Sequence, residues 1–351
     1  MSTPISFPRR TRALRLVAVS AASAAALVLA ACSAGGDPAP TDDAPTGGLD
    51  PAIAAAAEAA DPHQPEVDVL RGALWQGPIS GQWFLGADAA EEYGITLESD
   101  WMTDATVGRA QLASGAIDVV PGSPYGAAQL SLGGSDTLIV AGNYLSSPGE
   151  EAIYALPESG IKTAADLAGK TVAFTALTGI DQNRVKLAIA EAGGDPESMK
   201  IVASTFADMP GQLQNGTIDA ADVAAYGIPG VKAVGAVEVF DLSGGKFEGR
   251  PFNVWMATKS FYLAHPNAIA AFQCAMAAGG ELANELENIE AYERDTLKFP
   301  EAVIAAQIQP NFVTGPLDPA TVQADWDEEV EANGSPEFDV TALVVPFPKS
   351  C

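Results

Sequence analysis

Residue types that carry most enzyme chemistry are scarce in this chain. Among 351 residues there are two histidines, His63 and His265, and three cysteines, Cys32, Cys274 and Cys351. No Gly-x-Ser-x-Gly elbow, zinc-ligand spacing or phosphate-binding glycine loop occurs. His265 precedes Pro266 and reads as a helix boundary, because proline suits the first helical position. No carboxylate pair stands out as an acid and a base. No acidic run has calcium-loop spacing, so neither a metal nor a cofactor is expected. The pattern is one of binding: aromatic and uncharged polar side chains where predicted strands end. The first half offers Trp75, Gln76, Ser80, Gln82, Trp83, Ser123 and Tyr125. The second offers Thr175, Thr178, Asp181, Gln182, Asn183 and Tyr226, with Asn253 and Trp255 further on. Aromatic faces clamp flat or cationic ligands, although each of these rings could equally pack in a core. Thr178 and Asp181 bracket a predicted helix start, where either could act as an N-cap. Facing a cleft, Asp181 would favour an amine or a protonated heterocycle, whereas free N–H groups at the same helix start would hold an anion. These loops contain no Lys or Arg. The nearest, Arg184, is expected to face solvent one turn into the helix. That balance favours a nitrogen heterocycle or an amine over a sulfonate, taurine or nitrate.

The elements that would position these residues follow from an internal echo. Gln111-Leu112-Ala113-Ser114-Gly115-Ala116-Ile117-Asp118 is matched by Gln212-Leu213-Gln214-Asn215-Gly216-Thr217-Ile218-Asp219, and a Tyr-Gly pair comes after each, at Tyr125-Gly126 and Tyr226-Gly227. Each segment reads as a helix stopped by a left-handed glycine and followed by a buried strand. The repetition predicts two similar α/β lobes. Strands are expected over 67–75, 95–101, 171–175 and 201–204, with helices to about Tyr93 and over 181–192. Alternating strands and helices argue for parallel βαβ units, whose ligands sit beyond the carboxyl ends of the strands. Crossings between lobes are expected at 152–156 and 252–257.

The ends of the sequence carry an address. Arg9, Arg10, Arg12 and Arg15 precede an apolar stretch from Leu16 to Ala30, shorter than the roughly 20 residues a membrane span needs. It matches a secretory signal and ends in Leu29-Ala30-Ala31-Cys32, which resembles a bacterial lipobox. Acyl chains on Cys32 would anchor the protein to the outer face of the cell membrane without a membrane-spanning helix. The Arg9-Arg10 pair leaves twin-arginine export open. The expected layout is a signal over 1–31, the lipidated cysteine and a flexible tether over 32–65, and a first lobe over 66–155. A second lobe over 156–250 and a return with C-terminal helices over 251–351 complete it. Outside the cytoplasm disulfides persist; Cys274 and Cys351 would either bridge, pinning the C-terminus to a helix, or remain separate thiols. A formal net charge of −27 repels nucleic acid and anionic lipid, so neither is an expected partner.

The chain resembles the periplasmic binding proteins of the nitrate, sulfonate, taurine and thiamine-pyrimidine-precursor group. The phrase from Thr163 to Val172 resembles the opening of that family's second lobe. The stretches Leu112 to Asp118 and Leu213 to Ala220 match a second phrase twice, and His265-Pro266-Asn267-Ala268 resembles the start of its long returning helix. The likeness runs from about Val67 to the C-terminus. It implies a type II periplasmic-binding-protein fold with a hinged cleft. It also implies a monomeric receptor that passes a small molecule to an ABC permease and its ATPase. A ligand-binding sensor lipoprotein is the alternative, and an enzyme on the same fold a more distant one.

Overall fold

The computed structural model describes residues 48–102, 105–305 and 307–351, together with all their side chains except those of Tyr226, Ala332 and Asn333. The expected signal, Cys32 and the chain to residue 47 lie outside the described residues.

The chain runs α1 (Pro51–Ala59), β1 (Val69–Leu74), α2 (Gly81–Leu85), α3 (Ala87–Glu92), β2 (Thr96–Trp101), α4 (Ala105–Ala113), β3 (Val120–Gly122), α5 (Pro124–Leu132) and β4 (Thr137–Leu145). It then crosses into β5 (Glu151–Ala155), β6 (Thr171–Phe174), α6 (Ile180–Glu191), β7 (Lys200–Ala203), α7 (Met209–Asn215), β8 (Ala220–Ala224), α8 (Ile228–Ala233) and β9 (Val237–Asp241). It returns through β10 (Pro251–Thr258), α9 (Lys259–Ala264), α10 (Pro266–Ala283), α11 (Leu286–Asp295), α12 (Glu301–Ile304), β11 (Asn311–Phe312) and α13 (Pro319–Asn333).

Three sheets result among the described residues, two in the first lobe and one in the second, and the lobes share a plan. In the second lobe the order is β7-β6-β8-β5-β9, with β7, β6 and β8 parallel and β5 antiparallel to β8 and β9. In the first lobe β1 and β2 are parallel, and a bridge between Gly72 and Val119 joins β1 to β3. There β10 is antiparallel to both β3 and β4. In each lobe the antiparallel strand is the one that has just arrived from the other.

The echo in the sequence has a physical cause. Gly115 and Gly216 stop α4 and α7 at φ 71° and 72°, a left-handed conformation that costs glycine nothing. The next carboxylate along the chain then clasps the lobe's first strand. Asp118 Oδ2 accepts from the Arg71 N–H at 2.9 Å, and Asp219 Oδ2 accepts from the Thr171 N–H at 2.7 Å. Each aspartate's own N–H donates back to the carbonyl of the same residue at 2.8 Å. Both Ile-Asp pairs thus fix where the third parallel strand begins.

Apolar clusters cover both faces of each sheet. One joins Leu70, Leu74, Trp83, Trp255 and Phe272 in the first lobe. Here α10 lies so close to α2 that a Cβ on Gly279 would fall 2.1 Å from the Gln82 carbonyl. In the second lobe Ala152, Tyr154 and Val223 face one way, and Ile153, Val172 and Val185 the other. Cys274 on α10 is bonded to Cys351, with Cα atoms 5.4 Å apart.

Two boundaries differ from the expected layout. The tether assigned to 32–65 contains α1, whose Ile53 is buried in the first-lobe core. Lys259 pairs with Asp50, and Asp61 accepts from His63 and Gln64 while its N–H donates to Asn267. An alanine-rich helix needs only one large apolar contact and a good N-cap to dock, and Ile53 and Asp50 supply both. The second lobe also begins earlier than residue 156, because β5 is already a strand of its sheet; the crossing is 146–150.

Candidate functional site

Strand alternation places three carboxylates together where α6 starts. On β8, Asp222 lies on the same face as Ala220, and on β5 Glu151 lies on the same face as Ile153 and Ala155; that face packs on Val185 and Ile189 of α6. Register sets Asp222 opposite Ile153 and Glu151 opposite Ala224, a diagonal pair on antiparallel strands. Asp181, the second residue of α6, completes the group: one oxygen from each of Glu151, Asp181 and Asp222 lies within 4.8 Å of the others. Asp222 is fully buried and Glu151 nearly so. Among the described residues, neither oxygen of Asp222 has a donor from outside the group, and Oδ1 of Asp181 has no hydrogen-bond partner.

All three carboxyl groups are raised above their ordinary pKa range by burial, and Glu151 and Asp222 also by repulsion from neighbouring carboxylates. Burial, then the charge of Asp181, holds the Asp222 carboxyl well above the usual range. Burial, then Asp181 and Asp222, does the same to Glu151. Asp181 is pushed up to about 6 by burial, with Arg184 pulling the other way. The adjoining Glu150 is pushed up to about 8 by burial, although it accepts from the Ser147 N–H and feels Arg184.

Arg184 is corrected here: it does not face solvent but is wholly buried. Its Nη1 donates to Ser146 Oγ at 3.0 Å and to the Leu242 carbonyl at 3.1 Å, and its Nη2 pairs with Asp325 of α13 at 3.0 Å. Phe247 and Phe252 lie under the guanidinium. Arg250 binds the other Asp325 oxygen at 3.0 Å. The side chain therefore ties α6 to both crossing segments and to α13. A helical position three residues from Asp181 faces inward with it, which a reading based on charge alone passes over. Beside it Ile180, the first residue of α6, is buried in a first-lobe cluster with Tyr125, Val322 and Trp326. The start of α6 is thus where the lobes meet.

The sequence-selected residues fall into three groups. Trp75 is half-buried and Gln76 exposed at the end of β1; Thr178 is exposed and Asp181 half-buried at the start of α6. Trp75 packs on the cluster that also holds Ile180, the first residue of α6. Ser80, Ser123 and Gln182 are committed to local structure. Ser80 Oγ donates to the Trp75 carbonyl, Ser123 Oγ caps α5 by accepting from the Gly126 N–H, and Gln182 Nε2 donates to the Ala176 carbonyl. The helix cap before Asp181 is Gly179, so Asp181 is not the N-cap. The third group is in the core. Trp255 has no exposed surface and is corrected as a ligand contact: it packs on Trp83 and Phe272, and its Nε1 donates to Gln82 Oε1 at 2.8 Å. Tyr125 is nearly buried against Trp326, with its hydroxyl accepting from Gln129. The Tyr226 side chain lies outside the described ones. Glu151 and Asp222 were missed, because two carboxylates far apart in sequence meet only through strand register.

A cavity of about 290 Å³ lies elsewhere in the first lobe, between β4, the 315–319 loop and the C-terminal segment at 341–347. It shares no residue with the carboxylate group. No helix among the described residues is long and apolar enough to cross a membrane.

The comparisons with known proteins agree with this architecture. No curated protein sequence matches the chain. The aliphatic sulphonate binding protein SsuA of Escherichia coli superposes with a TM-score of 0.63 at 20% identity, covering 80% of this chain and 98% of that one. The nitrate-binding protein NrtA of Synechocystis PCC 6803 does so with a TM-score of 0.65 at 16% identity, covering 79% and 85%. The desulfurization enzyme DSZB shares the fold at a TM-score of 0.57 and 14% identity, covering 80% and 97%. Residues 105–285, spanning both lobes, match the family model described as "NMT1/THI5 like". The chain belongs to that family and is built on the two-lobed α/β fold of the periplasmic binding proteins.

Proposed function

We propose that this protein is the extracytoplasmic substrate-binding lipoprotein of an ABC importer. It would capture a small molecule between its lobes by hinge closure and pass it to a permease. The observation that carries the reading is the pair of crossings, β4 to β5 and β9 to β10. They join two lobes of the same plan, and the start of α6 reaches from one lobe into the other's apolar cluster. Contacts from both lobes would then stabilise the closed state over the open one. Anchoring through Cys32 belongs to this proposal. So do the ligand-facing roles of Trp75, Gln76, Thr178 and Asp181.

The ligand favoured is a nitrogen heterocycle or an amine over a sulfonate, taurine or nitrate. Three carboxylates gather under the start of α6, where this reading puts the second-lobe side of the cleft. The nearest cation, Arg184, has its Nη atoms committed to Ser146, Leu242 and Asp325. An anion would meet uncompensated negative charge there. SsuA and NrtA bind anions on this fold, so the preference must come from side chains and not from architecture.

The test is a thermal-shift panel of thiamine precursors, purines, pyrimidines, amines, taurine, alkanesulfonates and nitrate. A ligand at 100 times its dissociation constant stabilises the folded state by roughly 2.7 kcal/mol. A shift with a heterocycle or amine, lost in Asp181→Asn, supports the reading. A shift with sulfonates or nitrate alone would remove the ligand preference and keep the receptor. Turnover of a panel compound, seen by mass spectrometry in the same samples, would replace the receptor reading with the enzyme reading that the DSZB fold keeps in view.

A further inference from the structure

We infer that Glu151, Asp181 and Asp222 form a binding site in the second lobe for a calcium-sized divalent cation. Three oxygens within 4.8 Å of one another need close only slightly to converge on one ion at the roughly 2.3–2.6 Å of calcium–oxygen bonds, and much further for the roughly 2.0–2.1 Å that magnesium demands. The donors are all carboxylate oxygens, which suit a hard cation.

What separates this group from an ordinary acidic patch is its burial without donors. Asp222 has no exposed surface, and among the described residues neither of its oxygens has a donor from outside the group; the hydrogen bond open to it is with a protonated Glu151 carboxyl. Buried carboxylates are paired with donors, protonated or bound to metal. Glu150 adds a fourth buried carboxylate, also with one unpartnered oxygen. The one buried cation beside them, Arg184, spends its Nη atoms elsewhere. A bound cation would supply the positive charge that lets these carboxyl groups give up their protons. Burial and repulsion raise the carboxyl groups, as like charges crowded away from water must be raised. Asp181 is half-buried and follows the exposed Leu177 and Thr178 in the chain. The supporting framework is rigid, since two ligands sit on central strands of the sheet and Gln182 holds the loop before α6 through the Ala176 carbonyl.

The inference stands apart from the identity of the organic ligand. A bound divalent ion would leave the three carboxylates one negative charge, so the preference for cationic ligands would survive it.

The experiment is a calorimetric titration of calcium chloride into chelator-treated protein at pH 8, without organic ligand, with magnesium chloride as a parallel arm. The expected result is saturable binding of one calcium per chain, tighter than magnesium, with protons released into the buffer. Asp181→Asn, at the half-exposed position where folding is least at risk, should weaken binding at least about tenfold. Asp222→Asn should do the same while raising the melting temperature of the cation-free protein, because it removes a buried charge. A merely structural aspartate would lower that temperature. Absence of saturable calcium binding by the parent protein, or binding unchanged in both variants, would overturn the inference.

Discussion

The two lobes repeat one scaffold and fill it with opposite chemistry. The offset that maps Arg71 onto Thr171 also maps Gln82 onto Gln182 and Gly81 onto Asp181. Strand register extends the match. Pro121 pairs with Trp255 in the first lobe as Asp222 pairs with Ile153 in the second, which sets Asn253 against Glu151. At the three positions where the second lobe carries Glu151, Asp181 and Asp222, the first therefore carries Asn253, Gly81 and Pro121. Gln82 is buried with both ends satisfied, by Trp255 Nε1 and the Val313 carbonyl, whereas Gln182 uses only its Nε2. The first lobe packs here around two tryptophans and, among the described residues, leaves only neutral amide oxygens unpartnered, those of Asn143 and Asn253. The second keeps unspent polar atoms where α6 begins. Folding alone asks for the first arrangement, so the second is the one that calls for a ligand.

The sharpest way to break this comparison is Arg184→Met. It removes the side chain that ties α6 to Ser146, Leu242 and Asp325 and leaves Asp325 with Arg250 alone. Breaking one partner of a buried ion pair costs about 3–5 kcal/mol, read as a lower urea midpoint. Phe84 stands at the corresponding first-lobe position, stacked on Tyr292. Phe84→Leu should cost about half as much, because it trims an apolar contact and strands no charge.

Most of the scaffold was legible in sequence, and the chemistry was only partly so. Gly115-Ala116-Ile117-Asp118 and its repeat announced both lobes because a left-handed stop and a strand-clasping aspartate are local demands. Trp255 was misjudged because an aromatic ring at a strand end looks the same whether it faces a cleft or a core. Its burial is decided by Phe272 of α10 and Trp83 of α2, neither of which is adjacent to it in sequence. Arg184 was misplaced for the same reason: its partners Ser146, Leu242 and Asp325 are distant in sequence. Glu151 and Asp222 were invisible as a pair, since only the β5–β8 register brings them together.

A second prediction sharpens the comparison through pH. Asp181 is raised to about 6 and Glu150 to about 8, against ordinary values of about 4. Between about pH 4 and 8 the folded protein therefore holds protons that the unfolded chain has released. The stability linked to them is complete below about pH 4 and is lost as pH rises through 6 and then 8. The chelator-treated protein should melt at a falling temperature from pH 5 to 8.5. The first lobe contributes Glu293, raised to about 7 by burial with Gln309 opposing, and Glu293→Gln subtracts that share. Asp222→Asn should stabilise the cation-free protein by about 1–3 kcal/mol where that buried carboxyl is ionised, and the gain should shrink as pH falls. Added calcium should flatten the slope in the parent and not in this variant.

The smallest effect tests whether the two lobes are as alike in energy as in plan. Asp118→Ala and Asp219→Ala each remove the carboxylate that accepts from the lobe's first strand. Each should cost about 1–1.5 kcal/mol, the worth of a hydrogen bond to a charged group near solvent. Asp118 also pairs with the Arg71 guanidinium at 3.1 Å, but that arginine is half exposed, so the pair adds a few tenths of a kcal/mol at most. Near-equal losses in urea denaturation would mean that the echo is a folding device, independent of what each lobe binds. A clearly larger loss at Asp219 would instead tie it to the acidic group, since β8, which it sets in register, is the strand that carries Asp222.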